Sequence, residues 1–276
     1  MERAGRSALL VVAMVVALTG CKSTAQTITP TANSTLTPIQ KAEIFYVGDT
    51  SSGFKLFSEN YPVTGSGLTS LTKLISDLLD GKAVPLDPDY SNLWGHGTSL
   101  LSIKVNAPSV TINLNLGKLN LGAEAEIRAI DEIFWTIAKF MPKITRMNLL
   151  VDGKRIESLA GHVDSSKAFL LEPAYEVLSP VQITSIYEGE KLVAPIIIIG
   201  QACTFEAGVA WKLSKDEVII KSGAVTAQEA CPTRSRWTLN LGQLAPGNYQ
   251  LSVQDISPKD GSIVAQDTKK FVINKL

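Results

Sequence analysis

Two histidines, three cysteines and a scatter of carboxylates and hydroxyls are the groups in this 276-residue chain that could do chemistry. His96 stands in Gly95-His96-Gly97-Thr98-Ser99, with Asp49-Thr50-Ser51 upstream. Those residue types would suit a base, an orienting acid and a serine nucleophile. The chain order is against that reading, because the nucleophile would need its own Gly-Thr-Ser segment opening a helix far downstream, and none follows. His162 lies among Asp164, Ser165 and Ser166 in one short polar stretch. Triad members converge from separate elements onto a pocket, whereas neighbours in one loop are usually just solvated. Two histidines 66 positions apart do not have metal-ligand spacing, and Gly65-Ser66-Gly67 lacks the Lys of a phosphate loop. Glu124 and Glu126 sit two apart, on different faces of any helix, so they do not form an acid/base pair. The expectation is a non-enzymatic chain with no catalytic residue, no metal site and no cofactor.

The cysteines are more informative. Arg3 and Arg6 precede an apolar run from Ala8 to Leu18, and small residues follow before Cys21. This is the charged, apolar and cleavage-site layout of a secretory signal. The eleven apolar residues would span about 16 Å as a helix, short of a hydrocarbon core of about 30 Å. Leu18-Thr19-Gly20-Cys21 resembles a bacterial lipobox, which implies a signal peptide over residues 1–20 and a lipid on Cys21. The alternative is an ordinary secreted protein in which Cys21 merely follows the cleavage site. Residues 21–41 would then be the lipidated Cys and a flexible stalk, since Lys22 to Lys41 holds six Thr, two Pro and almost no large apolar residue. With Cys21 assigned to lipid, Cys203 and Cys231 remain as a pair. In an oxidising exterior they are most simply a disulfide, with two unpaired thiols as the alternative.

Charge excludes some partners. The 26 basic and 26 acidic side chains balance, which argues against nucleic acid and against a polybasic membrane patch. The length beyond the stalk suits two modest domains, placed at 42–175 and 178–276.

In the first, Ala42 to Val47 and Gly53 to Pro62 read as strands about a polar turn. Leu68, Leu71, Leu74, Ile75, Leu78 and Leu79 fall on one helical face, with Gly81 as the stop. Val84 to Gly97 reads as a loop, and Ser99–Asn106 with Ser109–Asn115 as a hairpin. Ala123 to Phe140 is a second helix ended by Pro142, and Ile144 to Val151 is a strand. That order predicts an α+β domain, a mixed sheet with two helices on one face. Ile44-Phe45-Tyr46-Val47, the helix ending Leu78-Leu79-Asp80-Gly81, Gly97 to Ile103, Val110 to Leu114 and Met147 to Gly153 together resemble the GerM-type sporulation and germination domain. The resemblance brings no catalytic residue with it. One departure is Trp94-Gly95-His96, where such domains more often have a Pro before the Gly-Thr step.

The second region has seven short extended runs at Gln182–Ile186, Val193–Thr204, Gly208–Leu213, Glu217–Lys221, Arg236–Leu241, Tyr249–Gln254 and Thr268–Ile273. Their spacing predicts a β-sandwich. The four-Ile run Ile196 to Ile199 reads as a central strand buried on both faces, and Trp211 as a core residue between the sheets. Val193 to Ala202 followed by Phe205 to Trp211, with the turns at Pro246-Gly247-Asn248 and Asp260-Gly261, resembles the immunoglobulin-like domain of bacterial spore germination proteins.

Together these resemblances imply an extracytoplasmic protein tethered to the cell membrane by its N-terminal lipid. It would act as an interaction or assembly module toward an envelope or membrane protein, in germination, sporulation or sensor-kinase signalling. The competing expectation is a binder of cell-wall glycan, or an accessory to a wall hydrolase, with peptidoglycan as partner and Trp94, Trp211 or Trp237 as stacking platforms.

Overall fold

The computed structural model describes residues 39–95 and 97–275. The expected signal peptide, Cys21 and residues 21–38 of the expected stalk lie outside the described residues, as does His96. Ile39, Gln40 and Lys41 are already strand, because they pair in register with Thr64, Val63 and Pro62.

The chain opens with β1 (Ile39–Thr50) and β2 (Gly53–Thr64), a twelve-residue antiparallel ribbon, then α1 (Gly67–Leu79) and the short β3 (Tyr90–Ser91) beside β1. β4 (Ser99–Asn106) and β5 (Ser109–Asn115) form the hairpin, α2 (Ala123–Phe140) follows, and β6 (Arg146–Val151) runs parallel to β5 with β7 (Phe169–Leu170) outside it. Gly81 adopts φ +76° just past α1, the left-handed stop that a Cβ would oppose.

One detail differs from the sequence expectation. There are two sheets here, β2-β1-β3 and the mixed β4-β5-β6-β7. α1 touches both, α2 lies on β1 and β2, and one apolar cluster runs from Ile44 and Tyr46 through Leu74, Leu78, Ile130 and Ile133 to Ile112 and Leu149. Period and order specify each element but not which strands share a ladder. A further consequence is that α2 is buried on every side from Asp131 to Ala138. Its polar side chains face an unpaired stretch of β1: Thr136 Oγ1 accepts the Phe45 N–H at 3.1 Å, and Glu132 accepts from Val47 and Leu93. A buried strand edge must find partners somewhere, and here a helix supplies them.

After α3 (Ala174–Val177) come β8 (Val181–Ile183), β9 (Glu190–Leu192), β10 (Ile196–Ala202), β11 (Gly208–Lys215), β12 (Val218–Thr226), β13 (Ser235–Gly242), β14 (Gly247–Ile256) and β15 (Ile263–Ile273). They build a sandwich of β13-β10-β8 against β12-β11-β14-β15-β9, with a core that includes Ile198, Val209, Leu213, Leu251, Val253 and Phe271. The expectation for Ile196 to Ile199 is corrected. β10 is central in its sheet, but Ile196 and Ile198 are buried while Ile197 is 55% exposed, so only one face is covered. A sandwich has one packed face per sheet.

Trp211 packs against the sandwich core, as expected, but it is not the most deeply buried tryptophan there. Trp237 is the fully buried one, lying across the strand from Gly200, where any Cβ would run into Gln182 O and the indole ring. Trp211 is half-buried on the inner face over Gly223. Cys203 and Cys231 are joined by a disulfide with Cα atoms 4.5 Å apart. It ties the end of β10 to the loop before β13. β12 is an outer strand whose Val218, Ile219 and Ile220 are exposed.

Candidate functional site

The chemistry-bearing side chains gather where the sandwich meets the first domain. Along β15, Ala265, Asp267, Lys269, Phe271 and Ile273 all point inward, which puts a carboxylate and an ammonium on the apolar face. Lys269 Nζ pairs with Asp87 Oδ2, and donates to Tyr90 OH at 2.7 Å and Asp267 Oδ1 at 3.0 Å. Tyr90 donates in turn to Asp267 Oδ1 at 2.7 Å, while Asp267 Oδ2 accepts the Ile183 N–H at 2.7 Å. Asp87 and Tyr90 belong to the loop before and into β3, so the cluster spans both domains.

Burial opposes the Lys269 charge, yet Asp267 and Asp87 hold the ammonium above its usual range. Asp267 is pushed up by burial against the pull of Lys269, the Ile183 N–H and the Tyr90 hydroxyl. Burial, reinforced by Asp267 and Asp87, keeps the Tyr90 phenol well above its ordinary value.

Weaker polar contacts extend the seam. Gln182 Nε2 donates to Ser58 O at 2.6 Å, Asn60 Nδ2 to Tyr187 OH at 2.8 Å, Thr268 Oγ1 to Asp89 Oδ2 at 2.8 Å and Ser51 Oγ to Val264 O at 2.7 Å. Glu59, lifted by burial, anchors the Asp87 loop by accepting the Leu86 and Asp87 N–H groups at 2.8 and 2.9 Å. Two cavities open between these contacts. One of about 220 Å³ is bordered by Glu59, Tyr187 and Lys269, and one of about 200 Å³ by Trp135, Lys139, Gln201 and Arg234. Glu43, Ser58 and Thr184 line both.

The residues weighed from sequence fall elsewhere. Glu126 accepts the N–H groups of Leu159, Ala160 and His162 at 3.0, 2.9 and 2.8 Å, and Glu124 accepts that of Phe54 at 2.7 Å, so one carboxylate clamps a loop and the other the start of β2. The His162 side chain is exposed. Trp94 is buried with its Nε1 donating to Ala129 O at 2.7 Å, and Trp237 is buried, so neither offers a stacking face. Among the described residues no cluster has the makings of a metal site, and no helix is long and apolar enough to cross a membrane.

Sequence reasoning did not reach the seam. Its one sequence signal is Asp267 and Lys269 at alternate positions with Phe271 and Ile273, two charges on the face that should be apolar.

Comparison with known proteins adds the following. Residues 43–157 match a family described as Germane, "Sporulation and spore germination", and residues 177–262 match Gmad2, "Immunoglobulin-like domain of bacterial spore germination". A search of curated proteins finds no match. Similar solved structures include one from Clostridium perfringens described as a "Putative Lipoprotein", at 25% identity over 48% of this chain and 87% of that one, TM-score 0.34. The tandem GerMN domains of the sporulation protein GerM from Bacillus subtilis give 15% identity over 52% and 50%, TM-score 0.40. The first GerMN domain of that protein gives 13% over 48% and 96%, TM-score 0.38.

Proposed function

We propose that this chain, which carries a GerM-type domain followed by an immunoglobulin-like domain of bacterial spore germination, is a non-enzymatic lipoprotein of the cell envelope. Its lipid sits on Cys21, and its two domains face outward as an assembly module for an envelope or membrane protein. The observation that carries this reading is the pairing of those two domain types in one chain, since both are described by sporulation or spore germination and neither by a reaction. Two features support it. The charged seam locks the domains into one presenting body, and β12 is the outer strand of its sheet among the described residues, with Val218, Ile219 and Ile220 exposed, the chemistry by which an extended partner segment adds a strand.

The anchor and the partner are tested separately. Cys21→Ala should move the protein from the membrane fraction to the soluble one, and continued membrane association would remove the lipid from this reading. In-cell crosslinking should capture a specific envelope or membrane protein, with the yield reduced by Ile219→Lys on the β12 edge. Sedimentation with purified peptidoglycan, and no protein partner, would turn the reading toward glycan binding.

A further inference from the structure

Arg234 enters the 200 Å³ cavity from the loop between β12 and β13. It donates through Nη1 to Ser179 O and through Nη2 to Gln182 Oε1, the latter at 3.3 Å. A guanidinium is a planar fork of five N–H donors, so two acceptors leave most of it unused. Among the described residues no carboxylate lies within ion-pair distance of it. Burial pushes this guanidinium down to about 10, with Glu43 and the more distant Asp267 pulling the other way. But Glu43 is already engaged, its Oε2 lying 3.0 Å from Lys139 Nζ.

The cavity wall therefore holds two cations and one anion. A partly buried cation with no carboxylate in direct contact is costly, and evolved sites compensate it. The space beside it is about six or seven waters in liquid volume, which suits a short chain rather than a drug-sized ligand. Its lining suits one as well: Thr184 and Gln201 are polar, and Trp135 with Phe45 gives an apolar wall. A fork that matches a planar two-oxygen acceptor, next to a short apolar wall, defines the chemistry of the occupant.

We propose that this interdomain cavity binds a short-chain carboxylate, its oxygens on the Arg234 fork and its carbons against Trp135. The same group can arrive as a free small acid or as an acidic side chain presented by another protein. The site does not depend on the lipid anchor or on the β12 edge.

The test uses the full chain in detergent, with three probes: glutarate, its neutral diamide glutaramide, and the peptide acetyl-Gly-Glu-Gly-amide. Binding is followed by calorimetry, by thermal unfolding and by the change in tryptophan fluorescence as carbons pack on Trp135. Glutarate, the acidic peptide or both should bind and raise Tm at about 10 mM or below, while glutaramide does neither. Arg234→Gln should weaken that binding at least about tenfold, and Arg234→Lys, which keeps the charge but loses the fork, should fall between. Should Arg234→Gln fail to fold, Arg234→Lys and Gln201→Ala carry the comparison. Trp135→Phe should remove the binding-linked fluorescence change while leaving the heat of binding. Saturation by glutarate marks a free acid as the source, and saturation by the peptide alone marks a presented side chain. If neither probe binds the wild type, or if glutaramide or Arg234→Gln binds equally well, the proposal is overturned.

Discussion

The interiors of the two domains and the seam between them are held by different physics. Inside each domain the contacts are mainly aliphatic and aromatic, from Leu74 and Ile133 in the first, which also buries Glu126, Asp131 and Glu132 on α2, to Leu251 and Phe271 in the second. At the seam, equally buried positions are taken by Lys269, Asp267, Asp87 and Tyr90. Apolar packing is non-directional and tolerates changes that keep volume. A buried charge cluster tolerates almost none, since removing one member strands the others. The difference suggests that the cores supply stability and the seam supplies one fixed relation between the domains.

The sharpest way to break that contrast is to place the same side chain in both settings. Lys269→Met should cost about 3–5 kcal/mol, because Asp87 and Asp267 stay buried without their cation. Leu251→Met should cost less than about 1.5 kcal/mol. Urea unfolding of the two variants checks this. Adding Asp87→Asn and Asp267→Asn to Lys269→Met should recover much of the loss, and equal costs for the two Met variants would erase the distinction.

Second in size is the disulfide, which belongs to the sandwich alone. Closing a loop with a sequence separation of 28 stabilises by about 3.6 kcal/mol on the chain-entropy estimate. Cys203→Ala/Cys231→Ala should lower the unfolding midpoint accordingly and leave the Lys269 effect unchanged, since the two sites share no residues.

Asp131 sharpens the comparison from inside the first domain, where it is a buried carboxylate paired with Arg128 at 2.7 Å. Burial lifts it to about 6 despite Arg128. In the unfolded chain the group ionises near about 3.9. Between those values the native state holds the extra proton, so the contribution of Asp131 to stability falls as pH rises from about 4 to about 6 and is level above that. Asn has no such proton. The unfolding free energy of Asp131→Asn relative to wild type should therefore move in the variant's favour by up to about 3 kcal/mol between pH 4 and pH 7. A difference that does not change with pH would show that the native carboxyl ionises normally.

Smallest is Lys139→Met. Its pair with Glu43 is half exposed, so the loss should stay under about 1 kcal/mol in the same urea assay.

Local elements were the legible part. The 3.6-residue period and Pro142 mark out Ala123–Phe140, and alternation about Asn106-Ala107-Pro108-Ser109 marks the hairpin. Pairing between distant segments was not legible. That the first domain has two sheets depends on which edges meet. β9, three residues running parallel to the end of β15, is too short to show a period. The candidate site is the extreme case: Asp87 and Lys269 are 182 positions apart. Nothing near Asp87 in Leu86-Asp87-Pro88-Asp89 distinguishes a seam carboxylate from a solvated turn. Arg234, in Pro232-Thr233-Arg234-Ser235, likewise reads as an ordinary loop cation until its surroundings are known.

β15 has a consequence for the order in which the molecule can be completed. It lies between β14 and β9 in its sheet, and it carries both Asp267 and Lys269. A chain emerging from its N-terminus can close the first domain early, but until residues 263–273 arrive, β14 lacks one neighbour and Asp87 and Tyr90 lack their cation. The first domain must therefore wait, partly unlatched, for β15. That interval is when a nascent chain of this kind is most open to proteases and to mispairing along the vacant side of β14.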